Sequence, residues 1–188
     1  MRPSKRTEIL DAALRVIEAG GVTAVTFESV AEAAGMTKGG LLYHFPTREA
    51  LLHALHEHLA GQWEASLVEA AGSSAEQATE AERLGAYARV ATQSATRAEL
   101  LLMLETANEP DMHATWNTVL TRWTPPLPEK GDLSQAQLRQ VIARLAADGL
   151  WLHESFTTVP LATVVRAQIT AAITDLAVQA TDTESVTR

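Results

Sequence analysis

The chain has 188 residues, of which 46% are hydrophobic and 20% are charged; its net charge is −8 and it contains no cysteine. This composition is typical of a globular protein with a sizeable core, and it excludes a disordered chain, disulfide bonds and thiolate metal sites. No apolar run approaches the roughly 18 residues of a membrane span and no signal peptide is visible, so we expect a cytoplasmic protein without a membrane partner.

The chain begins with a pattern of short helices. Apolar residues recur at helical spacing over 9–17, and Gly20 and Gly21 are expected to end this first helix. Thr26 is predicted to cap a second helix over 26–34, because its hydroxyl can accept a hydrogen bond from the helix N-terminus.

A third and a fourth helix are expected to follow at once. Thr37 can cap a helix over 38–45, which must end before Pro46 because the residue preceding a proline avoids helical angles. Thr47 can then cap a long helix that carries an apolar stripe over 51–67. We therefore predict one domain over 1–47 and a second over 48–188.

The rest of the chain also has helical patterns. They lie at about 81–95, 98–108 and 111–123, followed by a proline-rich loop at 124–132. Ser134 and Gln137 form a capping box for a helix that reaches Phe156, and a final helix carries apolar residues over 161–176. No segment predicts a strand, so the predicted fold class is all-α, with a three-helix front and a helical bundle behind it.

The second and third helices have the arrangement of a helix-turn-helix. Ala31 lies where the two helices are expected to cross, and Gly35 suits the backbone angles of the turn. The second helix of such a unit lies in the major groove of DNA. Gly39 and Gly40 cost helix propensity but would let the backbone come close to the double helix.

The distribution of charge agrees with this interpretation. Residues 1–48 contain six basic and five acidic side chains, a net charge of +1. The remaining 140 residues contain nine basic and eighteen acidic ones, a net charge of −9. An acidic body with a locally basic head can still present that head to a polyanion.

The segment TFESVAEAAGMTKGGLLYHFPTREALLHAL at 26–55, with ILDAALRVIEAGGVTAVT before it, resembles the DNA-binding region of TetR-family transcriptional repressors. The resemblance covers roughly residues 6–59. It implies an all-α homodimer that binds double-stranded DNA through its N-terminal domain and an unknown small-molecule effector through its C-terminal domain. The DNA-contacting positions that it implies are Thr26, Thr37, Lys38, Gly39, Tyr43, His44 and Arg48.

Leu42 departs from the family pattern, in which tyrosine is common at this position. We expect the neighbouring Tyr43 to take over the phosphate contact, whereas Phe45 is expected to pack in the core. His44 can contact a phosphate or buttress the end of the third helix. Arg2, Lys5 and Arg6 form either a solvated tail or a basic arm that reaches the DNA.

An effector pocket is expected among the C-terminal helices. Residues 100–104 are apolar all round, which predicts a buried helix. Large rings and a few polar groups nearby are typical of small-molecule sites. For any single one of these residues we favour ordinary core packing, whereas the family resemblance implies that a subset of them lines a pocket. The predicted pocket residues are Trp63, Met103, Glu105, Asn108, Trp116, Trp123, Trp151 and Phe156.

The last two helices suggest how two subunits associate. Both carry long apolar stripes, and the first also carries the small residues Ala143, Ala146, Ala147 and Gly149. Two such helices from each subunit can form a four-helix interface, unless the stripes are used up within one subunit. Two recognition helices about 34 Å apart would match successive major-groove turns of a palindrome.

Two other classes of function are considered. His53 and His56 on the fourth helix are three residues apart and could share a metal, but His58 points elsewhere and no convergent carboxylate is evident. We therefore expect solvated or inter-domain histidines, no metal and no cofactor. No nucleophile elbow, phosphate loop or dinucleotide fingerprint supports an enzyme. A helical adaptor with a vestigial helix-turn-helix is the remaining alternative.

Overall fold

A computed structural model describes residues 4–93, 96–107, 109–127 and 131–185, with side chains for all of these except 110, 113 and 179–185. Helices are the only regular secondary structure in these ranges, which confirms the all-α prediction. A 3-10 helix at Val22–Ala24 follows the first helix. The α-helices are α1 (Lys5–Gly20), α2 (Phe27–Ala33), α3 (Lys38–His44), α4 (Arg48–Ala71), α5 (Glu80–Ala91), α6 (Arg97–Glu105), α7 (Pro110–Trp123), α8 (Gln135–Phe156) and α9 (Thr163–Ser185).

The predicted caps set the helix boundaries. The Thr26 hydroxyl accepts a hydrogen bond from the Ser29 amide at 3.1 Å, and the Thr37 hydroxyl accepts one from the Gly40 amide at 3.1 Å. Thr47 does the same for α4, and Ser134 closes a capping box with Gln137 at the start of α8. Each cap satisfies an amide that the helix itself leaves without a partner.

The chain packs into two units. Residues 1–62 and 96–117 form the first unit, and residues 63–95 and 118–188 form the second, so that α4 and α7 each contribute to both. The domain boundary predicted at residue 47 divides the chain differently and stays a prediction. No helix of the described ranges is long and apolar enough to cross a bilayer.

The first packing unit is organised around α1. Its apolar face, which includes Ile9 and Ile17, is fully buried, and it packs against α2 and α6. The Glu18 carboxylate accepts a hydrogen bond from the Ala98 amide at 2.8 Å, which ties α1 to the start of α6. Leu41 from α3 and Phe45, which directly follows α3, complete this core, as predicted for Phe45.

Helix α6 is less buried than the sequence predicts. Leu102 is fully buried, but Leu104 is 62% exposed. The prediction that this helix is buried all round is therefore wrong. Apolar residues on every side of a short helix do not require that other helices pack against every side.

The second packing unit is built from α5, α8 and α9, which pack on one another. Ala143 and Ala147 on α8 are buried within the subunit. Two of the small residues considered for a subunit interface therefore serve the internal packing of this unit. The Arg166 guanidinium on α9 also donates to the Glu154 carboxylate on α8, at 2.7 Å.

The other side of α8 carries an exposed apolar stripe. Its members follow one another at steps of three, four or seven residues, the spacings that place side chains on one face of a helix. They are Leu138, Ile142, Leu145, Leu152 and Phe156. Gly149 lies on the same face by spacing, and a Cβ atom built there would find no atom within 4 Å. We call this set the α8 stripe.

Candidate nucleic-acid interface

The helix-turn-helix has the predicted geometry. Gly35 adopts φ +64°, a left-handed conformation that glycine takes without strain. The Met36 amide donates to the Ala31 carbonyl at 2.9 Å and closes the turn between α2 and α3. Leu41 lies on the inner face of α3 and is fully buried. The opposite face of α3 therefore points outward.

The outward face of α3 carries most of the predicted DNA contacts. Thr37, Lys38 and Gly39 are exposed at its N-terminal end. A Cβ atom built on Gly39 would find no atom within 4 Å, so no described residue of the subunit occupies the space beside that backbone. This open surface is compatible with the close approach to DNA that the sequence suggests.

Tyr43 lies further along the same helix and is 86% exposed. A tyrosine ring this far out of the core contributes little to folding, so the expectation that Tyr43 is not a core residue is confirmed. Its ring makes an edge-to-face contact with half-buried His44, with 5.3 Å between ring centroids. Leu42 is half-buried beside them.

Lys38 has a partner that the sequence analysis missed. Its ammonium group donates to the Glu28 carboxylate of α2 at 2.5 Å. This hydrogen bond, followed by a backbone hydrogen bond and the charge of Lys38, lowers the pKa of Glu28. The two residues are ten positions apart across the turn, a spacing that no helical periodicity would have indicated.

Arg48 serves the architecture of this surface. Its guanidinium donates to the carbonyl oxygens of Val25 at 3.2 Å and Val22 at 3.0 Å. These bonds join the start of α4 to the segment that precedes α2. Two donors of the Arg48 guanidinium are therefore already used within the subunit. Direct contact between Arg48 and DNA stays a prediction.

Thr26 and Arg48 line the same cleft on the surface of the first packing unit. An exposed cleft of about 410 Å³ is lined by Thr26, Glu28 and Arg48, among other residues of the first packing unit. The Lys38–Glu28 ion pair links this cleft to the N-terminal end of α3. The predicted DNA-binding positions thus lie on α3 and around the N-terminal ends of α2 and α4.

Two basic residues near the start of the chain, Lys5 and Arg6, lie on α1. Lys5 pairs with Glu8 at 2.6 Å. The Arg6 guanidinium lies over the Phe45 ring at 4.8 Å and 3.8 Å from the Glu57 carboxylate. Arg2 lies outside the described residues. These contacts give Arg6 a packing role, and the basic arm that reaches DNA stays a prediction.

We expect that Glu28→Gln strengthens operator binding about two- to fivefold at low salt. The substitution frees the Lys38 ammonium group and removes a negative charge from the surface that would face phosphates. Fluorescence anisotropy with labelled operator DNA measures the change. Glu32→Gln is the matched control, because Glu32 is an exposed carboxylate one helical turn further along α2. Equal gains in both variants would contradict a specific role for the ion pair.

The residues predicted to line an effector pocket are divided between the two packing units. Met103, Glu105 and Trp116 belong to the first, and Glu105 is exposed. The other described members belong to the second: Trp63, Trp123, Trp151 and Phe156. Phe156 is exposed as part of the α8 stripe. Asn108 lies outside the described residues.

Trp116 and His56 form a buried polar cluster in the first unit. The Trp116 indole donates to His56 Nδ1 at 2.8 Å, so this nitrogen carries no proton. His56 Nε2 lies 2.9 Å from the Thr106 hydroxyl, which donates its own proton to the Leu102 carbonyl. This network assigns the neutral, Nε2-protonated form to His56, and it corrects the expectation of a solvated or inter-domain histidine.

The other two histidines of α4 have separate contacts. His53 lies 3.5 Å from the Glu57 carboxylate, and His58 lies 3.0 Å from the Asp11 carboxylate. Within the described ranges no three metal-ligating side chains converge. The three histidines therefore do not form a shared site.

A second buried polar pair lies in the second packing unit. The Tyr87 hydroxyl donates to the Asp148 carboxylate, and the Tyr87 ring contacts Trp63 edge-on at 5.9 Å. Burial and the Asp148 carboxylate raise the pKa of Tyr87. Burial also raises the pKa of Asp148, against the opposing effects of Tyr87 and Arg144.

We expect Asp148→Asn to stabilise the protein at about pH 7.5. Between the ordinary and the raised pKa, folded Asp148 keeps a proton that the unfolded chain has released. The free energy of unfolding therefore falls as pH rises through this window. Asparagine can still accept the hydrogen bond from Tyr87 and has no charge to bury.

Urea unfolding of both proteins across this pH range tests the expectation. The advantage of Asp148→Asn should vanish near pH 4, about the ordinary pKa of aspartate. Asp175→Asn provides the control, because Asp175 is an exposed carboxylate on α9. An advantage that is independent of pH would contradict this assignment to Asp148.

Comparison with known proteins agrees with this geometry. Residues 9–55 match the model of bacterial regulatory proteins of the tetR family, and residues 81–178 match the model of the tetracyclin repressor-like C-terminal domain. The HTH-type transcriptional regulator RutR of Escherichia coli K12 is 39% identical over 64 residues, which are 34% of this chain and 30% of RutR. BetI of Rhizobium meliloti is 37% identical over 90 residues, 48% of this chain and 43% of BetI. The matched stretches thus span less than half of these relatives.

Solved structures share the fold over nearly the whole chain. A TetR-family regulator from Rhodococcus sp. has a TM-score of 0.66 at 20% identity, and the match covers 93% of this chain and 98% of that one. The ketosteroid transcriptional regulator KstR2 of Mycobacterium tuberculosis has a TM-score of 0.58 at 18% identity, with coverage of 93% and 95%. At this level of identity the likeness shows the fold alone.

A three-helix head with an outward-facing α3, followed by a helical C-terminal region, defines a helix-turn-helix transcriptional regulator. The chain belongs to the TetR family, since the C-terminal family model alone matches more than half of it and the N-terminal model matches the helix-turn-helix. Members of this family are transcriptional regulators, not enzymes.

Proposed function

We propose that the protein is a homodimeric repressor that binds a palindromic operator and is released by a small-molecule effector. The outward face of α3, with exposed Lys38, Gly39 and Tyr43, is the observation that carries this proposal. The N-terminal end of α3 enters the major groove, where these residues meet phosphates and base edges. Because its target is chromosomal DNA, the protein acts in the cytoplasm.

Individual residues have distinct roles in this proposal. Lys38 exchanges Glu28 for a DNA phosphate, and Tyr43 and His44 contact the backbone from the far end of α3. Thr26 and Thr37 place capped helix N-termini beside phosphates. Arg48 positions α4 through its bonds to the Val22 and Val25 carbonyls.

Dimerisation is proposed to occur through α8 and α9. The α8 stripe is exposed in the subunit although it is apolar, and such a surface usually meets a partner. On α9, Val164 and Val165 are exposed as well. Gly149 would let a second α8 approach closely, since no neighbouring atom of its own subunit occupies the space beside it.

Effector binding is proposed to act through α4. This helix begins in the first packing unit and ends in the second, so a change in its direction would move the recognition helices. Release requires the effector to bind the DNA-incompetent state more tightly, by about 1.4 kcal/mol for each tenfold loss of operator affinity. One protein of similar fold is known with a bound small molecule: EbrR, at a TM-score of 0.54, is a multidrug binding protein complexed with imidazole.

Footprinting on the DNA upstream of the protein's own gene tests the proposed function. We expect two protected half-sites separated by about one helical turn, and loss of protection when a metabolite pool containing the effector is added. Protection of one half-site would contradict the dimer. Failure to retard any upstream fragment would favour an adaptor with a vestigial helix-turn-helix.

A further inference from the structure

The two adjacent glycines of α3 leave different amounts of space beside the helix. A Cβ atom built on Gly40 would lie 3.3 Å from the hydroxyl oxygen of Thr37, which caps α3. A Cβ atom built on Gly39 would find no atom of the described residues within 4 Å, apart from its chain neighbours and the backbone of its own helix. Since carbon atoms in van der Waals contact lie about 3.5–4.0 Å apart, the space beside Gly39 can hold a methyl group.

Leu42 borders this space. It follows Gly39 by three positions, so the two residues are neighbours on the surface of α3. Helical side chains lean towards the N-terminus of their helix, which directs Leu42 towards the turn that contains Gly39. Leu42 is half-buried, and it is not among the apolar side chains of the described ranges that pack against the core of the first packing unit. Part of its apolar surface therefore remains available beside Gly39.

The space beside Gly39 lies on the outward face of α3. With about 3.6 residues per turn, Gly39 and Tyr43 lie nearly opposite Leu41 on the helix. Leu41 is fully buried and Tyr43 is 86% exposed, which agrees with this arrangement. In the proposed complex with DNA, Gly39 therefore faces the major groove.

The chemistry of Leu42 limits what it can contact there. Leucine has neither a hydrogen-bond donor nor an acceptor in its side chain, so it cannot bind a phosphate or the polar edge of a base. The apolar group that the major groove offers is the C5 methyl group of thymine. Such a methyl group needs room and an apolar neighbour, which are the two features found at Gly39 and Leu42.

We propose that Gly39 and Leu42 form the contact site for the methyl group of one thymine in each operator half-site. Gly39 makes room for the methyl group, and Leu42 covers it from one side. Leu42 thus contributes to the recognition of sequence and not to phosphate binding. This inference rests on the proposed function, because it requires α3 to enter the major groove of an operator.

Deoxyuridine tests the contact, because it lacks only the C5 methyl group of thymine and keeps every hydrogen-bonding group of the base. The probe is the fragment protected in footprinting, with deoxyuridine at the same thymine of both half-sites, one pair of thymines at a time. At one such pair, the full-length protein should bind the deoxyuridine duplex about tenfold more weakly, since each half-site loses one methyl contact. Fluorescence anisotropy at a fixed salt concentration measures both affinities.

Gly39→Ala supplies from the protein the methyl group that deoxyuridine removes from the DNA. Gly39 is a helical residue without a positive φ, so alanine fits its backbone and favours the helix. This variant should bind the deoxyuridine duplex at least as tightly as the thymine duplex. Gly40→Ala is the matched control, because it adds the same group one residue further along, against Thr37. It should keep the wild-type ratio of the two affinities.

Leu42→Asn replaces the apolar contact with a polar side chain of similar size. It should reduce the preference for thymine to less than about twofold, since an amide gains little from a methyl neighbour. Tyr43→Ala should weaken binding to both duplexes and keep their ratio. Circular dichroism verifies that each variant is folded.

Three results would overturn the proposal. They are a wild-type protein that shows no preference for thymine at any position, variants Gly39→Ala and Leu42→Asn that keep the wild-type preference, and loss of the preference in Tyr43→Ala.

The same measurements separate this inference from the proposed function. If the operator is bound but no thymine methyl group affects its affinity, the methyl contact fails and the repressor remains. If no upstream fragment is bound, the repressor fails and the methyl contact fails with it.

Discussion

Leu145→Glu is expected to convert the proposed dimer into a monomer and to weaken operator binding about a hundredfold or more. Leu145 is near the middle of the α8 stripe and is 55% exposed in the subunit. A carboxylate there leaves the fold of the subunit intact, because the side chain remains in water. In the dimer, the same carboxylate would be buried without a partner.

Sedimentation equilibrium gives the state of association, and anisotropy with labelled operator DNA gives the affinity. A monomer binds a single half-site, so the two measurements should change together. Leu104→Glu is the matched control, because Leu104 is a leucine of similar exposure on α6. A Leu145→Glu variant that remains dimeric would remove the α8 stripe from the subunit interface.

Lys38→Ala and Tyr43→Ala are each expected to weaken operator binding about ten- to hundredfold, with folding unchanged. Both side chains are exposed, and neither belongs to the core of the first packing unit. The Lys38→Ala variant loses a charged contact with a phosphate. The Tyr43→Ala variant loses an aromatic ring and a hydroxyl group at the far end of α3. Tyr43→Phe separates these two contributions.

Arg97→Ala is the control for Lys38→Ala, since Arg97 is an exposed cation of the same packing unit but belongs to α6. Circular dichroism and the midpoint of thermal unfolding show that each variant is folded. Unchanged operator affinity in both Lys38→Ala and Tyr43→Ala would mean that α3 does not read the DNA.

Local signals in the sequence predicted the helical framework well. Thr26, Thr37, Thr47 and Ser134 mark helix starts because a side-chain oxygen in a capping position acts over three residues. Gly35 marks the turn because its backbone conformation is rare for other residues. Such features depend on neighbours in sequence, so one chain is enough to recognise them.

Contacts between distant segments could not be predicted in the same way. The Lys38–Glu28 pair and the bonds from Arg48 to the Val22 and Val25 carbonyls depend on how the helices cross. The burial of His56 depends likewise on Trp116, sixty residues later in the chain.

The use of apolar faces was also ambiguous in the sequence. Helix α8 carries one apolar face that packs within its own unit and a second that is exposed, and the same residue types occur on both. Ala143 and Ala147 lie on the internal face, whereas Leu145 lies on the exposed one. The two faces of α8 can be told apart only from the positions of α5 and α9. Periodicity in the sequence shows which residues share a face but not what that face packs against.

The Lys38–Glu28 ion pair has a consequence for how the protein searches a genome. Any stretch of DNA offers phosphates, so a free lysine on the reading surface would strengthen binding to random sequence and to the operator alike. In the proposed complex a phosphate competes with Glu28 for Lys38, and a loosely held stretch of DNA provides few other contacts to offset a weakened ion pair. We therefore expect the ion pair to weaken binding to the many competing sites more than binding to the operator. Occupancy of the operator depends on the ratio of these two affinities as well as on the affinity for the operator itself.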